Sequence, residues 1–257
     1  MPGYAFSNRS PEADTQLRTL ESFLDPISAA RLRLAPGARC WEVGAGGGSV
    51  ARLMADAVGP DGHVLATDID PLHLVADGNL AVRRHDVRDP LPAGGPFDVI
   101  HARLVLLHVP ERRRVLRDLA GALAPGGQLV VEEFDCTAAP RVLTAPNDEA
   151  AKLFRQVMEA IFGVLRDRGA DPAWAQDVHT EMALLGLKNI DTVVHTESWT
   201  GGSPRMALYE VNSRQLEPRL QAAGVTTDQL KTFRTLTRDP SFTAMSYQFI
   251  STHAEAQ

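Results

Sequence analysis

Short apolar runs alternate with helical patterns through the middle of the chain, and this alternation restricts the fold more than any other feature. Five runs are predicted as strands, at residues 40–43, 63–67, 80–84, 97–101 and 129–134. Helical patterns cover residues 49–58, 71–76 and 111–124 between them. Strands that alternate with helices form parallel, doubly wound sheets with right-handed crossovers. We therefore predict an α/β fold.

The chain before the first strand has a helix signature. Ser10 is predicted as an N-cap, followed by Pro11 at the first helical position. An apolar stripe follows, formed by Leu17, Leu20, Leu24 and Ile27. Asp25-Pro26 is predicted to interrupt the helix and start a second, short one. The stripe could also pair with a second copy of the chain, so a homodimer is a possible assembly.

The chain after residue 135 is richer in helical patterns than the first half. Helices are predicted over residues 147–168, 172–186, 205–223 and 226–236. Two further strands are predicted at 190–199 and 246–252. No linker or repeat is evident, so these elements are expected to complete the same sheet and to cover it.

Composition excludes several classes of protein. The formal net charge is −6, which opposes binding to nucleic acid. No apolar run approaches the ~18 residues that a membrane-spanning helix needs, and no secretory signal is visible. Only two cysteines, Cys40 and Cys136, are present, so neither a disulfide framework nor a multi-cysteine metal site is expected. We expect a cytoplasmic protein with no metal, membrane or nucleic-acid partner.

The segment Glu42-Val43-Gly44-Ala45-Gly46-Gly47-Gly48-Ser49 follows a predicted strand and precedes a predicted helix. Glycines in this position let a ligand approach backbone N–H groups, because a Cβ atom would block that approach. The helix N-terminus beyond the turn favours an anionic group such as a carboxylate. A tight turn without a ligand would show the same glycines, so this motif needs support from other residues.

Two acidic residues supply that support. Asp68 ends the second predicted strand, where a doubly wound fold places a carboxylate that accepts ribose hydroxyls. Asp86 follows the third strand, where a carboxylate could receive an adenine amino group. Three signals at consecutive strand ends indicate a ligand that contains adenosine. A dinucleotide fingerprint would require Gly or Ala where Ser49 stands, so a nicotinamide dehydrogenase is disfavoured.

At these residues the sequence resembles the class I S-adenosylmethionine-dependent methyltransferases. The resemblance covers residues 38–135, and its motifs occur in order at 42–48, 66–70, 86–87, 97–101 and 119–127. It implies a Rossmann-like seven-stranded sheet of order 3-2-1-4-5-7-6 with the last strand antiparallel, N-terminal helices and helical cap insertions. The chain would then be one domain, in which residues 1–36 form N-terminal helices and a lid. Residues 37–135 would be the cofactor-binding half, and residues 136–257 would supply substrate-recognition helices and the last two strands.

The resemblance also assigns cofactor contacts. Gly44, Ala45, Gly46 and Gly48 would approach the methionine part, and Glu42 would help to anchor it. Asp68 would hold the ribose, with Ile69 against adenine. Asp86 and Val87 would bind the adenine edge. The backbone of His101 and Ala102 would contact the methionine amino group.

Catalytic candidates follow from the chemistry of the cofactor. Its sulfonium is a good leaving group, so the protein mainly aligns the nucleophile with the methyl group. A base is needed only when the acceptor is protonated, as a phenol or alcohol is. His108 resembles the catalytic histidine of small-molecule O-methyltransferases, although Val109-Pro110 replaces Asp-Trp there. His101 is the second candidate, and a structural role is the alternative for both.

Substrate contacts are predicted at three positions. Glu133 closes the fifth strand, at the edge where open α/β sheets collect ligands. Glu132 must face the opposite way, because neighbouring strand residues alternate. Trp174 is a candidate for the substrate pocket, with a core position as the alternative. Tyr4, with Phe6, is predicted to close over the site as a lid.

The sequence thus predicts methyl transfer from S-adenosylmethionine to a small organic acceptor, with S-adenosylhomocysteine as the other product. It also predicts a role in natural-product biosynthesis. Two alternatives stay open at this point. A protein of this fold could catalyse a cyclisation or rearrangement without methyl transfer, or it could bind the cofactor without catalysis. The identity of the acceptor atom, oxygen, nitrogen or carbon, is not encoded in these motifs.

Overall fold

The computed structural model describes residues 4–257, so residues 1–3 of the predicted N-terminal segment lie outside the described residues. Ten strands occur in the described chain: β1 (Arg39–Val43), β2 (His63–Asp68), β3 (Leu80–Arg84), β4 (Phe97–Arg103), β5 (Leu123–Asp135), β6 (Val142–Thr144), β7 (Lys188–His195), β8 (Ser198–Thr200), β9 (Thr243–Met245) and β10 (Gln248–Glu255). Seven of them form the main sheet, in the order β3-β2-β1-β4-β5-β10-β7.

The pairing in this sheet confirms the predicted fold. Strands β1 to β5 pair in parallel, whereas β10 runs antiparallel to both of its neighbours. Since β7 and β10 are the sixth and seventh strands of the main sheet, the order is the predicted 3-2-1-4-5-7-6. The carboxyl ends of the parallel strands therefore meet at one edge, where open α/β sheets bind ligands.

Eight helices surround the sheet within residues 4–257. They are α1 (Ala13–Arg31), α2 (Ser49–Val58), α3 (Arg112–Gly121), α4 (Asp148–Asp167), α5 (Trp174–Leu184), α6 (Ala207–Gln215), α7 (Glu217–Ala222) and α8 (Thr227–Leu236). A 3₁₀ turn, Leu106–His108, follows β4. None of the described helices is both long and apolar enough to cross a membrane.

Helix α1 differs from the prediction in two respects. It begins at Ala13 after the N-cap residue Glu12, so the predicted N-cap at Ser10 is wrong. Ser10 instead closes a turn, in which its carbonyl accepts the Ala13 N–H. The helix also runs without a break through Pro26. Side chains on either side of the proline are anchored, Asp25 by Arg103 and Ser28 by Glu132, and these contacts hold the segment helical.

The apolar stripe of α1 packs inside its own chain. Leu24 is fully buried in a core cluster with Leu20 and Ile27 against it, and Leu17 and Leu20 line a cavity that is described below. The stripe therefore has an intramolecular partner and gives no support to the predicted homodimer.

The structure differs from the prediction at three further segments. One predicted helix is absent, and one predicted strand and one predicted helix are each divided in two. Residues 71–76 contain one turn, at 72–73, and irregular chain instead of the predicted helix. The predicted strand at 190–199 is divided between β7 and β8, and β8 pairs with β9 in a separate three-stranded sheet that also contains β6. The predicted helix at 205–223 ends at Leu216, and α7 starts anew with Pro218 in its first turn.

The core lies on both faces of the main sheet. Trp41 packs under α3 and α5, whereas its neighbour on β1, Cys40, packs under α2. A further cluster joins α4, α6 and α8 to the ends of β5 and β10. This cluster places helices from the last half of the chain above the carboxyl edge of the sheet.

Candidate functional site

One cavity of about 230 Å³ lies at the carboxyl edge of the main sheet. It has two ends. The polar end is formed by the turn after β1 and by the ends of β2 and β3, and it includes Glu42, Gly44, Gly46, Asp68 and Asp86. The apolar end lies between β5, α4, α6 and the loop after β9, and it is lined by Phe134, Ile161, Phe162, Leu165, Leu208 and Tyr247.

The glycine turn lines the polar end as predicted for Gly44, Ala45 and Gly46, and Gly47 joins them. Gly46 has a φ of +54°, a conformation that side chains with a Cβ rarely adopt. A Cβ at Gly44 would lie 2.3 Å from the Val105 side chain. Gly48, the N-cap residue of α2, is not part of the cavity lining. Its role is to turn the chain into the helix.

Asp68 joins the turn to the end of β2. Its carboxylate accepts the Gly46 N–H at 3.0 Å and the Asp70 N–H at 2.8 Å. Burial raises the pKa of Asp68, while these two N–H groups oppose the rise. Ile69 follows on the cavity wall with 44% of its surface exposed. A buried carboxylate beside an exposed apolar side chain fits a ribose next to a flat ring.

Asp86 and Val87 also line the polar end, but the Asp86 carboxylate already has a partner. Arg88 holds it through Nε at 2.9 Å and through a second nitrogen of its guanidinium. This pairing lowers the pKa of Asp86. An adenine amino group would therefore have to share the Asp86 carboxylate with Arg88.

A row of three ionisable side chains crosses the sheet beneath the polar end. His101 on β4 donates from Nδ1 to Glu42 on β1 at 2.6 Å, and from Nε2 to Glu132 on β5 at 3.0 Å. Because both ring nitrogens face carboxylate oxygens, the imidazole carries both protons and is a cation. Burial opposes this charge, but the two carboxylates outweigh it and raise the pKa of His101 to about 9.

Hydroxyl groups complete this row. Glu132 also accepts hydrogen bonds from Ser28 on α1 and, at 2.7 Å, from Ser251 on β10. Burial favours its neutral form, yet these donors and His101 lower the pKa of Glu132. The row thus links α1 to Glu42, and of its three ionisable members only Glu42 lines the cavity.

Two predictions for strand β4 differ from the structure, namely the catalytic role of His101 and the cofactor contacts of His101 and Ala102. The His101 side chain is fully buried and both of its nitrogens are engaged, so it does not reach the cavity as a catalytic base. Neither His101 nor Ala102 belongs to the cavity lining, because β4 continues to Arg103, two residues beyond the predicted end. The backbone that reaches the cavity after this strand is that of residues 103–105.

His108 lies on the cavity wall, at the end of the 3₁₀ turn. Its ring packs against the lid residues Tyr4, with ring centroids 4.9 Å apart, and Phe6, at 6.4 Å. Burial, with a smaller contribution from Arg112, lowers the pKa of His108 to about 4. The imidazole is therefore neutral near pH 7, and the same burial makes it a weaker base than a free imidazole.

Glu133 lies beneath this turn and not in the cavity. One of its carboxylate oxygens accepts the N–H groups of Leu106, at 2.7 Å, and Leu107, at 3.1 Å. The other oxygen is buried without a partner in the described chain. Burial raises the pKa of Glu133 to about 8 despite the backbone donors. The predicted substrate contact is therefore replaced by a support for the turn that carries His108.

Trp174 is also separated from the cavity. It is fully buried at the start of α5, where the Arg113 guanidinium lies 5.7 Å from its ring. Trp174 therefore has the core position that was the alternative in the sequence analysis, and it does not contact the cavity. Tyr4, by contrast, lines the cavity as predicted.

The N-terminal lid is attached to both ends of the cavity. Arg9 pairs with Asp70 at 2.6 Å beside the polar end, and Asn8 lies 3.5 Å from the Asp68 carboxylate. On the other side, the Ser7 N–H donates to Gln215 on α6 at 3.1 Å. Sequence reasoning missed these contacts, and it also missed every residue of the apolar end.

Comparison with known proteins agrees with this architecture. A family model described as "Methyltransferase domain" matches residues 14–230. The chain is similar to methyltransferase str2 of Strobilurus tenacellus, with 38% identity over 96 residues, which cover 37% of this chain and 34% of that protein. It is also similar to the ubiquinone biosynthesis O-methyltransferase of Xanthomonas euvesicatoria pv. vesicatoria, with 32% identity over 56% of this chain and 64% of that protein.

A solved structure shows the same fold at low identity. Phosphoethanolamine N-methyltransferase 2 of Haemonchus contortus, in complex with S-adenosylhomocysteine, aligns with a TM-score of 0.54 and 13% identity over 97% of this chain and 59% of that chain. The chain spans about a third of str2 and less than two thirds of the ubiquinone enzyme. Because the family model matches most of the chain, this protein belongs to the methyltransferase-domain family and, by its sheet order, to the class I S-adenosylmethionine-dependent methyltransferases.

Proposed function

We propose that this protein transfers the methyl group of S-adenosylmethionine to a small, largely apolar acceptor. The observation that carries the proposal is a single cavity with one polar and one apolar end. When bound, S-adenosylmethionine supplies a methyl group on a sulfonium, which needs alignment with a nucleophile more than it needs activation.

The residues of the polar end fit this cofactor. Gly44 to Gly47 keep the strand-to-helix turn open, Asp68 offers a buried carboxylate to the ribose, and Ile69 offers an apolar surface to adenine. Glu42 is held in place by His101, so its carboxylate would bind the methionine ammonium with little loss of side-chain entropy. Residues 37–135 would thus hold the cofactor.

The acceptor would occupy the apolar end. The lid and α1 cover the cavity, and this enclosure favours a small molecule, such as a natural product, over a macromolecule. His108 would receive the proton of an acceptor hydroxyl, because it lines the cavity and its imidazole is neutral. Its lowered pKa makes it a weak base, so the proton would pass to it as the methyl group is transferred. Relatives that include an O-methyltransferase support oxygen as the methylated atom.

Turnover with a panel of neutral aryl alcohols tests the proposal. We expect mass spectrometry to show S-adenosylhomocysteine and a methylated product in equal amounts. An acceptor that changes while the cofactor is not consumed would indicate cyclisation or rearrangement. Tight cofactor binding without turnover of any acceptor would indicate a binding protein.

A further inference from the structure

A chain of amide side chains leads from the lid into the apolar end of the cavity. Ser7 donates its backbone N–H to Gln215 Oε1 at 3.1 Å, and Gln215 Nε2 donates to Gln16 Oε1 at 2.8 Å. Gln16 Nε2 then donates to Asn212 Oδ1 at 2.6 Å. The Asn212 side chain acts on the Tyr247 hydroxyl, because it lowers the pKa of this phenol against the larger rise that burial causes. Gln16, Asn212 and Tyr247 all line the cavity.

The direction of this chain is fixed at its first member. A backbone N–H can only donate, so Gln215 must present its carbonyl oxygen to Ser7 and its NH₂ group to Gln16. By the same argument, the Gln16 oxygen accepts from Gln215, and the Gln16 NH₂ group donates to the Asn212 oxygen. Because the Asn212 oxygen accepts from Gln16, the group that Asn212 offers to Tyr247 is its NH₂ group, which can only donate. The single hydrogen of the Tyr247 hydroxyl is left to donate elsewhere.

The Tyr247 ring is held firmly where this hydrogen can be used. It stacks on Phe134 with centroids 4.8 Å apart and an interplanar angle of 27°, and only 5% of the residue is exposed. Burial raises the pKa of Tyr247, so the phenol keeps its proton. A hydroxyl hydrogen without an acceptor in an apolar space costs free energy, so an oxygen of a bound ligand would gain a hydrogen bond there.

Charge restricts what that oxygen belongs to. None of the six residues that define the apolar end is ionisable except Tyr247 itself. The two arginines of the cavity lining, Arg88 and Arg103, are paired with Asp86 and Asp25. A carboxylate at the apolar end would thus be buried without a free cation in the described lining, and this is costly.

We propose that Tyr247 donates a hydrogen bond to a neutral oxygen of the acceptor, which is an uncharged aromatic molecule that carries a carbonyl, ester or ether group besides the group to be methylated. This inference rests on the proposed function, because it places the acceptor at the apolar end. Tyr247 is then a specificity-determining residue that binds an oxygen distant from the reacting atom.

Two naphthols that differ in one oxygen test the inference. Calorimetric titration of 6-acetyl-2-naphthol and 6-ethyl-2-naphthol into the protein saturated with S-adenosylhomocysteine compares a carbonyl with a methylene. We expect the wild type to bind the acetyl compound about fivefold more tightly, the size of one hydrogen bond. Tyr247→Phe should lose this preference and bind the ethyl compound as the wild type does.

Tyr209→Phe is the matched control. Tyr209 lies 5.1 Å from Tyr247 between ring centroids, but its hydroxyl donates to the Met245 carbonyl at 2.7 Å and lies outside the cavity lining. This variant should keep the preference. The inference is overturned if the wild type shows no preference or binds neither naphthol, if Tyr247→Phe retains the preference, or if Tyr209→Phe loses it equally. Failure of the wild type to bind S-adenosylhomocysteine would instead overturn the proposed function.

Discussion

Buried ionisable side chains beneath the polar end of the cavity are charged, whereas those around the 3₁₀ turn after β4 are neutral. Beneath the polar end, Glu132 and His101 are held in their charged forms, because each faces a partner of opposite charge. Around the 3₁₀ turn, His108 and Glu133 are held in their neutral forms, because burial dominates and the nearby Arg112 offsets only a small part of its effect on Glu133. The pKa of Glu132 is lowered and that of its neighbour Glu133 is raised, although both side chains are fully buried.

This difference separates two tasks within one fold. Strand β5 turns Glu132 toward His101 and Glu133 toward the 3₁₀ turn, since successive side chains alternate. A charged row suits a cofactor with an ammonium and a sulfonium. A neutral surrounding suits an apolar acceptor and leaves His108 unprotonated. The following predictions test whether the row beneath the polar end is charged and whether the groups around the 3₁₀ turn are neutral.

His101→Gln should cause the largest change. It removes the cation between Glu42 and Glu132, and an unpaired buried charge costs about 3–5 kcal/mol of unfolding free energy. Urea unfolding at pH 7 measures this loss. His179→Gln is the control, because that histidine is exposed and makes one hydrogen bond, to Thr192. Equal stability of the two variants would show that the row carries no charge.

The same residue gives the wild type a pH dependence. The pKa of His101 is raised from 6.5 to about 9, so its contribution is complete below pH 6.5 and is lost as the pH rises through 9. Unfolding curves of the wild type should therefore weaken across this window. In His101→Gln the loss should shrink to the part that Glu133 contributes below about pH 8, and the loss between pH 8 and 9 should disappear. A loss as large as that of the wild type would contradict the assignment.

Glu133→Gln should stabilise the protein. The pKa of Glu133 is raised from 4.5 to about 8, so wild-type stability falls as the pH rises through this range. A glutamine mimics the protonated acid and keeps an oxygen for the two backbone donors. We expect a gain of roughly 3 kcal/mol at pH 7 and none at pH 4.5.

Its neighbour supplies the opposite control for this prediction. Glu132→Gln removes a charged partner of His101 and should destabilise the protein at pH 7, where Glu133→Gln stabilises it. Urea midpoints of both variants at the two pH values measure the contrast. Changes of the same sign in both variants would mean that the two faces of β5 do not differ.

His108→Gln has the smallest expected effect in free energy. Loss of a general base lowers kcat by about 100-fold for an acceptor hydroxyl, while cofactor affinity should stay unchanged. Because the pKa of His108 is lowered to about 4, the wild-type rate should be constant near neutral pH and fall only below about pH 4. His63→Gln, an exposed substitution at the start of β2, is the control. Unchanged kcat in His108→Gln would mean that transfer proceeds without this base.

The polar end was largely predictable from the sequence, because its residues follow strands directly. Gly44, Asp68 and Asp86 were identified by their positions after three strands, and each lines the cavity. The prediction for His101 was wrong because β4 ended two residues later than its apolar run indicates. Its pairing with Glu42 depends on the register between β1 and β4, which periodicity does not encode.

The apolar end was not predictable in the same way. Phe162, Asn212 and Tyr247 come from α4, α6 and the loop after β9, and they meet only after the helices pack on the sheet. A helical period shows which face of a helix is buried, but not which element covers that face. The small sheet of β6, β8 and β9 was not predicted either, because strands of three residues are too short to show a period in the sequence.

Calorimetric titration of S-adenosylhomocysteine tests the central claim most directly, namely that the polar end holds the cofactor. The wild type should bind it with micromolar affinity, and Asp61→Asn should bind equally well, because Asp61 is exposed and lies outside the cavity lining. Asp68→Asn should bind at least about 100-fold more weakly, since it loses charged hydrogen bonds to the ribose. No binding by the wild type, or equal binding by Asp68→Asn, would contradict the account.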